Sequence, residues 1–254
     1  MQRRFRITRS IIPNVFTLMN LFSGFNAIVQ ISAGHYWAAA GFIVLAAVFD
    51  MLDGMVARLI KATSELGVEL DSLCDAVSFG VAPSFLIYHA YFAQFQAWGV
   101  VVSALPALAG VFRLARFNVQ LTDFEDKRYF VGMPIPSAAL TLLSYVLFYD
   151  QAGLIPDRWR TAAFLAVTAI LSALMASTIR FFSIPKLSKQ GIREYPFRFA
   201  FLVFGTIVVI VSKGVLLFPV MVLYILASVI RHTIDRLRRW KELDDEEVAG
   251  PFDL

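Results

Sequence analysis

Apolar stretches of about 20 residues follow one another along most of this 254-residue chain. A helix needs about 20 apolar residues to cross a bilayer, and inside lipid only helices and closed barrels pair all their backbone groups. Only 17% of the residues are charged, whereas soluble domains carry about a quarter. We therefore predict an all-α integral membrane protein with about eight transmembrane helices. The predicted spans are 14–33, 37–60, 67–90, 98–118, 136–152, 161–179, 199–215 and 216–235.

The basic residues are distributed unevenly between the two sides that eight spans define. Of the 23 lysines and arginines, only Arg158, Arg160 and Lys213 fall on the side away from the termini. Basic residues accumulate on the cytoplasmic side of membrane proteins, so we expect both termini to be cytoplasmic. The net charge of +4 then reflects this topology and contact with anionic membrane lipids, and it does not indicate nucleic-acid binding.

We predict one membrane-embedded domain, residues 13–238, with a short segment on either side. Residues 1–12 are basic and amphipathic, which is typical of a segment lying on the membrane surface. Residues 239–254 form an acidic tail that we expect to be solvated and without regular structure.

Four aspartates occur in the second and third predicted spans, where each ionised carboxylate costs about 2.5–3.5 kcal/mol. They are Asp50, Asp53, Asp71 and Asp75. Asp50 and Asp53 are three positions apart, and Asp71 and Asp75 are four positions apart, so each pair shares a helix face. Two such faces in contact would form a cage of carboxylate oxygens, whose negative charge two divalent cations would balance. Oxygen ligands favour Mg²⁺ or Mn²⁺. An internal salt-bridge network is the alternative, but Arg58 and Lys61 are too few cations to complete it.

The same segment resembles the motif of the CDP-alcohol phosphotransferases, integral membrane enzymes of phospholipid synthesis. The pattern Asp-x2-Asp-Gly-x2-Ala-Arg-x8-Gly-x3-Asp-x3-Asp is matched by Asp50, Asp53, Gly54, Ala57, Arg58, Gly67, Asp71 and Asp75. The resemblance implies that the first three aspartates hold two metals. It also implies that Asp75 touches the second metal and acts as the general base. From the resemblance we also expect a polar active site that faces the cytoplasm, in the inner membrane of a prokaryotic cell.

The family resemblance also implies a binding site for the CDP-lipid. Its candidate residues are Pro13, Asn14, Thr17, Gly54, Ala57, Arg58, Ser64 and Gly67. Several of these have a structural alternative. Gly54 and Ala57 also fit close helix packing, Ser64 fits an N-cap of the third span, and Arg58 fits an anchor at the membrane interface.

Three further stretches resemble the branch of the family that uses L-serine as the acceptor alcohol. They are residues 75–83, 113–118 and 132–139. This implies transfer of the phosphatidyl group from CDP-diacylglycerol to the serine hydroxyl, with release of CMP. The candidate contacts to serine or phosphate are Ser78, Arg113, Arg116 and Asn118, although the two arginines also fit the positive-inside rule.

Two other interpretations stay open on the sequence alone. The same chemistry with another acceptor, glycerol 3-phosphate or inositol phosphate, would require a more cationic pocket. A divalent-cation transporter would use the acids to line a permeation path, but an arginine beside that path argues against it. The oligomeric state also stays open, a homodimer included.

Overall fold

The computed structural model describes residues 7–60, 64–120, 129–182 and 196–248, and these residues are predominantly helical. The α-helices are α1 (Ile7–Ser32), α2 (Tyr36–Leu59), α3 (Glu65–Asp75), α4 (Ala82–Ala90), α5 (Gln96–Gln120), α6 (Ile135–Tyr145), α7 (Asp157–Ala176), α8 (Pro196–Val211) and α9 (Leu217–Val248). Short π-helical or 3₁₀ pieces extend three of them, namely Ala76–Val81, Phe92–Phe95 and Val146–Asp150.

Six helical segments in the described part of the chain are long and apolar enough to cross a membrane. They are Ile11–Ser32, Tyr36–Leu59, Glu65–Ala90, Phe92–Val119, Asp157–Ala176 and Leu217–Arg238. An integral membrane protein of helical class is therefore confirmed, but the predicted count of eight spans is not. The segment Ile135–Asp150 is a shorter apolar helix. Helix α8 has 16 residues, which is about 24 Å and less than the roughly 30 Å hydrocarbon core.

Helix α1 packs along α2 and α3 through one continuous buried stripe. The buried residues of this stripe recur at alternating steps of four and three, the period of one helix face: Pro13, Thr17, Asn20, Gly24, Ala27 and Ile31. Opposite them on α2 lie mostly small residues, such as Ala39 and Ala46, which let the two helices approach closely.

The third span is a single helix with a π-helical turn, Ala76–Val81, between α3 and α4. The central residues of this turn, Ser78, Phe79 and Gly80, are all buried. Gly24 of α1 makes the contact possible, because a Cβ there would lie 2.2 Å from the Oγ of Ser78. A π-turn changes the direction in which the following side chains point, so α4 presents a different face from α3.

Two three-residue strands, β1 (Tyr129–Val131) and β2 (Arg180–Phe182), pair in antiparallel register between the helices. Gly132 follows β1 with φ +80°, a conformation that glycine adopts without strain. Its N–H donates to the Ile179 carbonyl at 2.8 Å, and the N–H of Met133 donates to the Leu174 carbonyl at 3.1 Å. The stretch that begins at Gly132 therefore fixes the start of α6 against the end of α7.

The two predicted flanking segments lie partly outside the described residues. Residues 1–6 of the predicted surface segment fall outside them. Helix α9 continues to Val248, so the expectation that the tail from residue 239 lacks regular structure is wrong for its first part.

Candidate functional site

Three of the four aspartates converge where α2 and α3 face each other. One carboxylate oxygen from each of Asp50, Asp53 and Asp71 lies within 4.8 Å of the other two. Asp50 and Asp53 come from the last turns of α2, and Asp71 comes from the second half of α3. The hydroxyl of Ser64 starts α3 by accepting a 3.1 Å hydrogen bond from the N–H of Gly67, so the predicted N-cap is confirmed.

The donor set of this trio fits divalent cations. Oδ2 of Asp53 and Oδ1 of Asp71 are buried and have no hydrogen-bond partner among the described residues. Carboxylates this close repel one another, and a buried carboxylate without a partner is costly. Hard divalent cations such as Mg²⁺ and Mn²⁺ would satisfy these oxygens and offset their charge.

Asp75 stands apart from the trio in its environment. It is 7% exposed, and its Oδ1 accepts a 3.0 Å hydrogen bond from the side-chain amide of Asn20. It remains close enough to Asp50 and Asp71 to interact with them electrostatically. Asp75 is thus held by α1, while the other three carboxylates face one another.

The N-terminal half of α1 lies over this acidic cluster. Thr17 is 3% exposed, lies next to Asp53, and donates to the Pro13 carbonyl at 3.1 Å. The side-chain oxygen of Asn14 is near Gly67, where a Cβ would lie 3.5 Å from it. The predicted CDP-lipid residues of α1 and α3 therefore meet at one end of the trio.

The remaining predicted CDP-lipid residues line the end of α2. A Cβ on Gly54 would lie 3.5 Å from Nη1 of Arg58, so the exposed Arg58 side chain folds back along the helix towards the acids. Ala57 is half-buried on the same turn. Small residues at Gly54 and Ala57 leave room beside the cluster.

The two arginines near the end of α5 have different surroundings. Arg113 is 5% exposed, its guanidinium carbon lies 6.0 Å from the centre of the Phe117 ring, and Asp75 is within electrostatic range. Arg116 instead donates to main-chain carbonyls at the end of β1 and around the end of α7. These are Val131, Met175, Ala176 and Ser177, at 2.8–3.4 Å.

The two other predicted serine contacts also bind within the protein. The Oγ of Ser78 donates to the main-chain carbonyl of Asn20 at 3.0 Å and is fully buried. The amide of Asn118 donates to the Oγ of Ser72 at 3.0 Å, which joins α5 to α3. Both contacts therefore hold the third span, which carries Asp71 and Asp75, against its neighbouring helices.

Asn20 is the site residue that sequence reasoning did not select. Its contact with Asp75, 55 positions further along the chain, depends on tertiary packing. A sequence signal does exist, since Asn20 follows Thr17 by three positions on the buried stripe of α1.

Comparison with known families assigns most of the chain to one of them. The model of the CDP-alcohol phosphatidyltransferase family matches residues 10–179. The match includes all four aspartates and ends before β2. Helices α8 and α9 lie beyond it.

Individual relatives match this chain over similar lengths. A CDP-diacylglycerol--serine O-phosphatidyltransferase of Helicobacter pylori is 38% identical over 169 residues, which is 66% of this chain and 70% of that protein. An archaetidylserine synthase of Methanothermobacter thermautotrophicus is 36% identical over 184 residues, 71% of this chain and 72% of its own. A CDP-diacylglycerol--serine O-phosphatidyltransferase of Bacillus subtilis is 34% identical over 171 residues, 67% of this chain and 89% of its own.

Proposed function

This chain belongs to the CDP-alcohol phosphatidyltransferase family, and from that premise we propose that it transfers the phosphatidyl group of CDP-diacylglycerol to the hydroxyl of L-serine. The second product is CMP. Serine is in the names of the three relatives described above, whether bacterial or archaeal. The observation that carries the proposal is the Asp50, Asp53 and Asp71 trio beside a separately held Asp75.

We propose that the trio holds two divalent cations, Mg²⁺ or Mn²⁺, with Asp75 at the edge of the second. The two partnerless oxygens of Asp53 and Asp71 support this assignment. When bound, such cations neutralise the diphosphate and polarise the phosphoryl group under attack. By holding these cations, the carboxylates would position the diphosphate of the donor.

Asp75 is the proposed general base. The serine oxygen forms a new bond to the phosphorus that carries the diacylglycerol, and the bond from that phosphorus to the CMP oxygen breaks. The hydroxyl proton passes to a carboxylate oxygen of Asp75 as the new bond forms. Its contact with Asn20, away from the trio, fits a role distinct from ligation.

Arg113 is the proposed partner of the serine carboxylate. It is buried, lies near Asp75, and its planar guanidinium can make two parallel hydrogen bonds with a carboxylate. The carbonyl contacts of Arg116 favour a structural role for that residue. We place Ser78 and Asn118 with Arg116, as residues that brace the site.

The donor nucleotide is proposed to bind where Asn14, Ser64 and Gly67 meet, beside Gly54, Ala57 and Arg58. Acyl chains would lie along the apolar outer faces of α1 and α2, which expose residues such as Phe22, Phe25 and Met51. The basic residues Arg58 and Arg113 beside the acidic cluster support a site that opens to the cytoplasm, with anionic lipids around it, and the organisms of the relatives support a prokaryotic membrane.

The test uses purified protein, Mn²⁺ or Mg²⁺ and CDP-diacylglycerol, with serine, glycerol 3-phosphate and inositol phosphate offered in parallel. CMP release that depends on serine, together with formation of phosphatidylserine, is expected. CMP release only with a phosphorylated alcohol would refute serine as the acceptor. Cation flux into liposomes without any transfer would refute the enzyme itself.

A further inference from the structure

Asn20 and Asp75 form a hydrogen bond between α1 and α3 inside the protein. Nδ2 of Asn20 donates to Oδ1 of Asp75 at 3.0 Å. Asn20 is 0% exposed and Asp75 is 7% exposed. The contact is therefore shielded from water, where a hydrogen bond to a carboxylate is stronger than at the surface.

The backbone around Asn20 is held in place by the π-helical turn that follows Asp75. The Oγ of Ser78 donates to the main-chain carbonyl of Asn20 at 3.0 Å. Gly24, one turn further along α1, lets Ser78 approach this closely. Asp75 and Ser78 are three positions apart on the third span. This span therefore contacts Asn20 of α1 at two points, the side-chain amide and the main-chain carbonyl.

Only the nitrogen of the Asn20 side-chain amide has a hydrogen-bond partner among the described residues. Its Oδ1 is buried and has no hydrogen-bond partner among the described residues. A buried polar atom without a partner lowers stability, and an apolar side chain there would avoid that cost. An apolar side chain would, however, leave Oδ1 of Asp75 without its donor, so the contact with that carboxylate is what an asparagine supplies at this position.

We propose that Asn20 is a positioning residue that holds one oxygen of the Asp75 carboxylate and so orients the other oxygen towards the incoming hydroxyl. This inference rests on the proposed function, in which Asp75 is the base. A carboxylate held at one oxygen cannot rotate freely. Proton transfer requires the accepting oxygen to lie within hydrogen-bond reach of the hydroxyl, so a fixed rotamer raises the rate of transfer.

The first variant is Asn20→Ala, with Asn26→Ala as its matched control. Asn26 lies on the same helix and donates to the carbonyl of Phe22, within its own helix, at 2.9 Å. We expect Asn20→Ala to lower kcat by about 10–100-fold, the usual effect of removing a group that orients an active-site residue. The KM values for serine and CDP-diacylglycerol should stay within about twofold, and Asn26→Ala should match the wild type.

A second variant separates the donor group from the shape of the side chain. Asn20→Leu has nearly the same volume and shape but has no N–H donor to offer Asp75. We expect its kcat to fall at least as far as that of Asn20→Ala. Near-wild-type kcat in Asn20→Leu would overturn the proposal, because shape would then be sufficient.

Thermal unfolding and the KM values distinguish a positioning role from a purely structural one and from direct contact with the donor. A lower Tm with activity lost in proportion to folded protein would make Asn20 a structural residue and overturn the proposal. A raised KM for CDP-diacylglycerol with unchanged kcat would make it a donor contact and overturn it as well. If the wild type prefers another alcohol, the proposed acceptor fails, but the same ratios measured with that alcohol still test Asn20.

Discussion

Nη2 of Arg116 lies 2.8 Å from the carbonyl oxygen of Ser177 and joins the end of α5 to the end of α7. The same guanidinium passes close to Gly132, where a Cβ would lie 2.6 Å from Nη2. Arg113, one turn earlier on α5, is buried near Asp75. Two arginines on one helix face, with the same charge, thus have different surroundings, and they should respond differently to substitution.

We predict that Arg113→Ala raises the KM for serine by about 10–100-fold and changes the KM for CDP-diacylglycerol much less. The reason is the loss of charge-assisted hydrogen bonds, each worth about 1.5–3 kcal/mol. Arg113→Lys keeps the charge without the planar fork and should recover only part of the loss. Steady-state kinetics with each substrate varied in turn provides the measurement.

Arg116→Ala serves as the contrasting variant in that experiment. Loss of its hydrogen bonds leaves several carbonyls without a donor, so the Tm should fall while the KM for serine in the folded fraction stays near the wild-type value. If Arg116→Ala raises the serine KM and Arg113→Ala does not, the assignment of the two arginines must be exchanged.

Asp53→Asn, or the same change at Asp50 or Asp71, should abolish transfer. In the absence of metal, Asp53→Asn should not lower the Tm, since it removes a buried carboxylate from a repelling group. Mn²⁺ should raise the Tm of the wild type, because it binds only the folded site, and should raise that of the variant much less. The control is Glu69→Gln, at an exposed position on α3, and Mn²⁺ should raise its Tm as much as that of the wild type. If Mn²⁺ raises the Tm of Asp53→Asn equally, the metal site is contradicted.

Asp75→Asn should lower the rate of transfer by about 10²–10⁴-fold, the usual contribution of a general base. Binding of CDP-diacylglycerol should remain measurable, because the trio of Asp50, Asp53 and Asp71 is intact. Direct binding of the CDP-lipid and single-turnover CMP release provide the two readouts. If binding disappears as fully as it does in Asp50→Asn while the fold persists, Asp75 is chiefly a ligand.

Gly24→Ala should destabilise the fold by about 1–3 kcal/mol, the usual cost of overpacking a tight contact. Its Cβ would lie 2.8 Å from the Cα of Ser78, so backbone must move, and transfer should fall as Asn20 shifts away from Asp75. Gly41→Ala is the control, since a Cβ there meets nothing within 4 Å; it should be neutral or stabilising. Thermal unfolding of both variants checks this, and equal Tm values would contradict the close packing.

Arg160→Ala should also destabilise the protein, at the opposite end of the molecule from the acidic trio. Arg160 forms two hydrogen bonds to Asp150, at 2.5 and 2.9 Å, and the Asp150 side chain is almost fully buried. Removing the arginine leaves that carboxylate without its cation, at a cost of about 1–3 kcal/mol. The KM values should not change, and Arg158→Ala, at an exposed position, should leave the Tm near that of the wild type.

The sequence alone determined the class of this protein and its most distinctive residues. Apolar stretches of bilayer length leave helices as the natural solution, and six of the described helical segments have the required length and hydropathy. The spacing of Asp50 and Asp53 places both on one face of α2, because side chains three positions apart share a helix face, whereas their meeting with Asp71 also requires α2 and α3 to pack together. Sequence also predicted the Ser64 cap, which depends on a local interaction within three residues.

Tertiary structure alone decided which polar side chains face the site. Arg113 and Arg116 share a face by spacing, yet only packing against α7 and β1 occupies the guanidinium of Arg116. Asn20 and Asp75 are 55 positions apart, and their hydrogen bond requires the close approach of α1 at Gly24. Helix periodicity is a local property of the chain, whereas these contacts depend on how separate helices pack, so the spacing of residues does not encode them.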